Sequence, residues 1–176
     1  MFKKIVLVLV ALLAVFLVVV ALQPSEYRVE RTTTVAAAPS QVFGHVNDFH
    51  KWEAWSPWAK LDPDAKITFE GPEAGQGAIM TWDGDDNVGA GKMTLVESVP
   101  DNAIKTKVEF TRPFEGSTNS DFSFTPKGDQ TEVAWAMHGT HNFMEKAFCL
   151  VMNGLGMMGD DLDKGLAQLK SVAEQG

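Results

Sequence analysis

His45, His50, His138 and His141 are the only histidines in the chain, and Cys149 is its only cysteine. Imidazole and thiolate are the groups best suited to metal ligation or nucleophilic chemistry near neutral pH, so their spacing is weighed first. His138 and His141 stand three apart, but Gly139-Thr140 between them reads as a strand-to-helix junction. No carboxylate or cysteine joins them at metal-ligand spacing. Structural or surface histidines are therefore expected, with no metal and no cofactor. Cys149 sits within Ala147-Phe148-Cys149-Leu150-Val151, the setting of a small buried hydrophobe rather than a reactive thiol. A single cysteine also allows no intrachain disulfide.

The carboxylates offer little more. Asp83-Gly84-Asp85-Asp86-Asn87 superficially resembles a calcium loop. Counting from Asp83, however, glycine falls at position seven instead of six, and position twelve is Thr94 instead of glutamate. A solvated hairpin turn accounts for it better. Glu109, Asp121 and Glu132 would serve as general acid or base only if they faced an interior. Alternation points Glu109 and Asp121 outward. No nucleophile elbow, phosphate loop or dinucleotide fingerprint is present, so no catalytic residue is assigned.

Apolar chemistry is more promising. Trp52, Trp55 and Trp58 recur every three residues, rigid plates that either plug one end of a fold or gate an opening into it. Four of the eight methionines, Met144, Met152, Met157 and Met158, fall in one C-terminal stretch. Flexible thioethers suit a wall that adapts to varied apolar guests, and they serve equally as core filler.

The elements that must position these residues follow from periodicity. Tyr27 to Val35 alternates and is rich in β-branched residues, a strand in which Arg31 breaks the pattern and marks an edge. Pro39-Ser40-Gln41-Val42-Phe43 opens a short helix to about Asn47, and a second short aromatic segment runs from Phe49 to Trp55. From Ala65 onward the period is two. Strands are expected at Ala65–Glu70, Gly77–Trp82, Gly91–Val99, Ala103–Thr111, Ser117–Thr125 and Thr131–Thr140, with turns short enough for antiparallel neighbours. Phe143 to Glu174 carries a continuous apolar stripe of helical period, with a kink expected near Gly154 to Gly159. A greasy-faced antiparallel sheet needs a cover, and this helix is the one available.

Alternation then supplies the candidates for an interior cavity. On the strands these are Met80 and Trp82; Thr106, Val108 and Phe110; Phe122 and Phe124; Trp135 and Met137. The tryptophans Trp52, Trp55 and Trp58 join them, and the helix contributes Met144, Phe148, Met152 and Leu155.

Before the first strand, Ile5 to Leu22 is an unbroken apolar run behind Lys3 and Lys4. As a helix it spans about 27 Å, close to the hydrocarbon thickness of a bilayer. The paired lysines place the N-terminus in the cytoplasm and the rest outside it. A cleaved signal peptide is the competing reading, and Val20-Ala21-Leu22-Gln23 is a poor cleavage site. The organisation expected is a single-pass inner-membrane anchor over 1–24 and one extracytoplasmic domain over 25–176. The formal charge of −8 becomes about −10 once the two lysines are set aside. A surface so acidic argues against nucleic-acid partners.

Three stretches carry a family resemblance: Val35 to Phe43, then Asn47-Asp48-Phe49-His50-Lys51-Trp52-Glu53-Ala54-Trp55-Ser56-Pro57-Trp58, then Gly165-Leu166-Ala167-Gln168-Leu169-Lys170. With the element order, they make Arg28 to Ala173 resemble the SRPBCC superfamily, the START-like helix-grip proteins, in the bacterial polyketide cyclase/dehydrase-like branch. The resemblance implies an α+β helix-grip fold: a curved antiparallel sheet of about seven strands wrapped on a long C-terminal helix, with a deep apolar cavity between. Two short helices follow the first strand, and one transmembrane helix precedes it. It further implies an apolar small molecule or lipid as the bound partner, or, alternatively, cyclase/dehydrase-like chemistry on an aromatic or polyketide-type substrate. A third possibility is a structural or interaction domain whose own side chains fill the core.

Overall fold

The computed structural model describes residues 1–175. An apolar helix, α1 (Phe2–Leu22), precedes the domain. It is long and apolar enough to cross a membrane, a property that anchors and signal sequences share. There follow β1 (Glu26–Val35), α2 (Pro39–Val46), a 3₁₀ helix (Phe49–Ala54), and strands β2 (Lys66–Glu70), β3 (Ile79–Asp83), β4 (Ala90–Val99), β5 (Ala103–Arg112), β6 (Gly116–Lys127) and β7 (Gln130–Thr140). Two helices, α3 (Phe143–Met152) and α4 (Gly154–Ala173), close the chain.

The strands form one antiparallel sheet in the order β1-β7-β6-β5-β4-β3-β2. Hairpins join β2 through β7, as the short turns require. β1 and β2 are the two edges, so α2 and the 3₁₀ helix carry the chain from one edge to the other. Registers fix the faces, because residues paired across strands share a side. Val133 pairs with Phe124, Phe122 with Trp135 and with Ile104, and Val108 with Met93. This is the face that α4 covers, through Leu162, Leu166 and Leu169, all buried in one cluster with it. The sheet wraps the helix as the resemblance implied.

Arg31 lies on that inner face, opposite Trp135, on an edge strand. A guanidinium is tolerated there because the strand borders solvent and α4 supplies a partner: Arg31 Nε donates to Asp163 Oδ2 at 2.9 Å. Its fork lies against Gly159, where a Cβ would collide with Nη2.

The expected kink is a full break, one residue before the glycines. Asn153 adopts the left-handed conformation (φ 54°) and ends α3 by donating its N–H to Cys149 O. Asparagine tolerates this backbone better than most residues with a side chain. The stripe read as one helix is therefore two helices with different neighbours: α4 packs on β1, β7 and α2, whereas α3 packs on α1 and α4. No residue of α3 is buried.

A filled half and an open half of the concave face

The tryptophans of the 3₁₀ helix are placed by α2. Trp52 Nε1 donates to Val46 O at 2.9 Å and Trp55 Nε1 to His45 O at 3.0 Å, so two indoles satisfy carbonyls that the end of a helix leaves without partners. Asp48 caps the 3₁₀ turn by accepting from the His50 backbone N–H. The indoles thereby enter the space between the sheet and α4. Trp55 lies edge-on to Phe122 and Trp135, with centroids 6.0 and 5.7 Å apart, and those two rings stack at 4.8 Å. Trp135 Nε1 donates to Ser120 Oγ at 2.8 Å, and Thr106 Oγ1 donates to Ser120 O at 3.0 Å. Gly165 of α4 rests on Trp135, where an added Cβ would meet Cζ3 at 2.5 Å.

Beneath α4, then, the volume where a deep cavity was expected is occupied by the protein's own rings. A helix alone is too narrow for the concavity, and the chain spends Trp52, Trp55, Phe122, Phe124 and Trp135 on the remainder, all buried. Trp52 and Trp55 are core plugs.

Towards the other end of the same face the cover is missing. Strand directions place the start of β1, which follows α1, beside the ends of β3, β5 and β7 and the starts of β4 and β6. At this end Met80, Trp82, Trp58 and Met158 are only half-buried against the core, and Phe110 is 37% exposed. Trp82 meets Phe110 edge-on at 5.7 Å and ties its indole N–H to Val88 O at 3.1 Å. Trp58 reaches in edge-on to Trp135 at 5.7 Å. Val108, Thr106 and Met137 form the floor between the two halves, buried.

Two surface depressions flank the face, and neither lies beneath α4. One of about 300 Å³ runs between the 3₁₀ helix and the β2 edge, lined by Phe49, Phe69 and Ala78, with His50 stacked on Phe69 at 4.0 Å. The other, of about 450 Å³, lies at the open end of the sheet but is bordered chiefly by Thr81, Asp83, Ala90, Lys92 and Arg112. Thr81, Asp83, Ala90 and Lys92 alternate with Trp82 and Gly91 and so belong to the outward face.

Of the sequence-derived candidates, Trp52, Trp55, Met80, Trp82, Thr106, Val108, Phe110, Phe122, Phe124, Trp135 and Met137 share the concave side with Trp58. The four helix candidates do not join them. Met144 (73% exposed), Phe148 (62%) and Met152 point away from the core, because the break at Asn153 directs α3 to α1 instead of along the sheet, and Leu155, in the first turn of α4, is exposed as well.

Polar groups that alternation alone does not single out also lie on the inner face. Tyr27, on the strand that follows α1, donates its hydroxyl to Thr118 Oγ1 at 2.9 Å and stacks on His141 at 4.1 Å. Burial pushes the phenol above its ordinary value, partly offset by the Thr118 contact, so it is neutral at physiological pH. Burial also holds His141 below an ordinary imidazole, with Glu145 opposing. Tyr27 was legible only as one more alternating residue. The partner that makes it notable, His141, is over a hundred positions away. The outward carboxylates stand as alternation had them: Glu109 pairs with Lys92 and Lys107, and Asp121 Oδ2 lies 2.9 Å from His138 Nε2. Among the described residues no group of three or more His, Cys, Asp or Glu side chains could hold a metal ion.

The fold has solved counterparts. The Zhui aromatase/cyclase from Streptomyces sp. R1128 aligns with 17% identity and a TM-score of 0.62, over 85% of this chain and 94% of that one. A Staphylococcus aureus protein of unknown function aligns at 11% identity, TM-score 0.65, over 87% and 96%. A Mesorhizobium loti protein aligns at 12%, TM-score 0.63, over 85% and 98%. No curated protein matches the chain. Such identities establish the shared helix-grip architecture alone. Residues 26–174 match the family described as polyketide cyclase/dehydrase and lipid transport. On that match, which spans the whole domain, this chain belongs to the polyketide cyclase/dehydrase and lipid transport family, in the SRPBCC superfamily.

Proposed function

We propose that the domain, held at the outer face of the inner membrane by α1, binds an apolar small molecule or lipid in the open half of the concave face. The observation that carries this reading is the contrast within one continuous surface. Beneath α4 the rings of Trp55, Phe122, Phe124 and Trp135 are sealed, while Met80, Trp82, Phe110, Trp58 and, near the start of α4, Met158 leave apolar area towards solvent where a cover is lacking. Exposed contiguous apolar surface in a concavity is the usual ground for an apolar ligand. The polar groups nearby, Tyr27 and Thr118, are neutral and bonded to each other, able to orient a guest without demanding a charged one. An anchor supports the reading by keeping the domain where such ligands partition.

The test is native mass spectrometry of the delipidated full chain before and after exposure to mixed phosphatidylcholine and phosphatidylethanolamine. Phe110→Arg and Met80→Arg variants separate groove-bound adducts from lipid around α1. Adducts that appear in the parent and vanish in both variants are the expected result. Equal adducts in all three would sink the proposal.

A second reading, cyclase/dehydrase-like catalysis, is favoured by one feature, the Tyr27–His141 stack at the rim of the same face. It requires turnover of an aromatic or polyketide-type substrate that Tyr27→Phe abolishes while leaving binding intact.

A further inference from the structure

We infer that α3 is a membrane-docking helix, seated in the outer-leaflet interface beside α1. The inference rests on α1 being the anchor proposed above. From Ala147 to Gly159 the chain has no charged residue, and the structure leaves this stretch largely uncovered. Met144 just before it, Phe148, Val151 and Met152 on α3, and Leu155 and Met157 in the first turn of α4 are all exposed, Val151 by 66%. A patch of this kind on a water-facing helix calls for a partner.

The partner follows from what α3 touches. It packs on α1, whose Val20 is fully buried within the last turn of that helix, which ends at Leu22. Lys146 Nζ donates to Gln23 O at 3.1 Å and reaches Ala21 O at 3.4 Å, binding α3 to the exit of α1. A turn is about 5.4 Å deep. If Leu22 marks the edge of the hydrocarbon, α3 lies within the outermost turn or two of the anchor. Interfacial helices bury their apolar face by a similar ~5–10 Å.

Charge placement agrees. The only ionic side chains on α3 are Glu145 and Lys146. The first is engaged in a capping box with Asn142, the second with the α1 carbonyls. Neither would enter lipid unpaired. Phe114, 81% exposed between β5 and β6, lies at the same end of the sheet. The acidic loop Asp83–Asn87 is at that end too, but on β3 and β4, far across the sheet from β1. The contact is thus apolar, with little dependence on anionic lipid or salt. Seated this way, α3 would turn the open half of the concave face towards the bilayer, a direct route for an apolar guest.

The test uses the full chain with Cys149→Ala as background, reconstituted in phosphatidylcholine vesicles, and single spin labels at Leu12→Cys, Val151→Cys and Lys107→Cys. Collision with oxygen and with a water-soluble nickel chelate reports depth. Docking predicts that positions 12 and 151 favour oxygen over nickel several-fold while 107 shows the reverse. Position 151 accessible to nickel with 12 protected overturns docking and leaves the anchor standing. Nickel access at both overturns the two together. Spin–spin broadening at 151 that disappears in single-copy nanodiscs, with nickel access restored, would identify a second copy as the cover and overturn the lipid assignment.

Discussion

The last two helices are neighbours in sequence, carry one apolar stripe, and meet opposite fates. α4 buries Leu162, Leu166, Leu169 and Ala173 against the sheet and α2, while α3 buries nothing, although its residues are on the whole the more apolar. The difference lies in what stands opposite. α4 faces a sheet whose registers bring Trp135, Phe122 and Val133 onto one side. α3 has its main contacts with α1 and α4. Period and hydrophobicity state that a face needs cover, and geometry decides whether the cover is protein.

That contrast can be broken by truncation. Trp55→Ala or Leu166→Ala, in the filled half, is expected to cost the domain about 3–5 or 2–5 kcal/mol respectively. Phe148→Ala on α3 is expected to cost under about 0.5 kcal/mol. Urea unfolding of the full chain in micelles, followed by circular dichroism, measures all three. Equal losses would mean that α3 is packed after all.

The next effect sharpens the filled half. Gly165→Ala gains about 1 kcal/mol of helix propensity, but its methyl meets Trp135 and Pro57. Overpacking of about 1–3 kcal/mol is expected to prevail. An unchanged or raised midpoint would show that the ring gives way.

At the junction between the helices, Asn153→Gly should be tolerated, whereas Asn153→Ala should cost about 1 kcal/mol by placing a methyl-bearing residue in the left-handed region. A gain on Asn153→Ala, read from the same unfolding curves, would favour one continuous helix over the break.

The smallest effect is in pH. Burial holds His45 and His141 below the ordinary 6.5, with Lys51 reinforcing the shift at His45. The unfolded chain therefore binds these protons at higher pH than the folded domain does. Stability is complete above about 6.5 and falls as pH drops through that value towards each folded one. His45→Gln/His141→Gln should flatten the slope of the unfolding midpoint between pH 7 and 5.5. An unchanged slope would exclude both histidines as its source.

Most of the fold was legible in the sequence. Strict alternation with turn chemistry between runs located all seven strands to within a few residues, because a half-buried strand must place every second side chain in the core. The concave-side candidates on the strands were legible for the same reason. Arg31 breaks the alternation in sequence and is an inner-face residue of an edge strand, paired with an Asp163 that only folding brings near. The tryptophans were visible as a cluster, while their role in filling the space under α4 depends on carbonyls of α2 that spacing does not reveal. Tyr27 gave no signal of its own.

The sequence by itself determined which faces are apolar, where turns fall and how many strands there are, since these follow from local period and backbone preference. Tertiary structure alone decided how the concave face divides into a sealed half and an open one. That division depends on where the helix breaks and which long-range neighbours satisfy each indole and guanidinium, and such pairings arise only once distant segments share a volume.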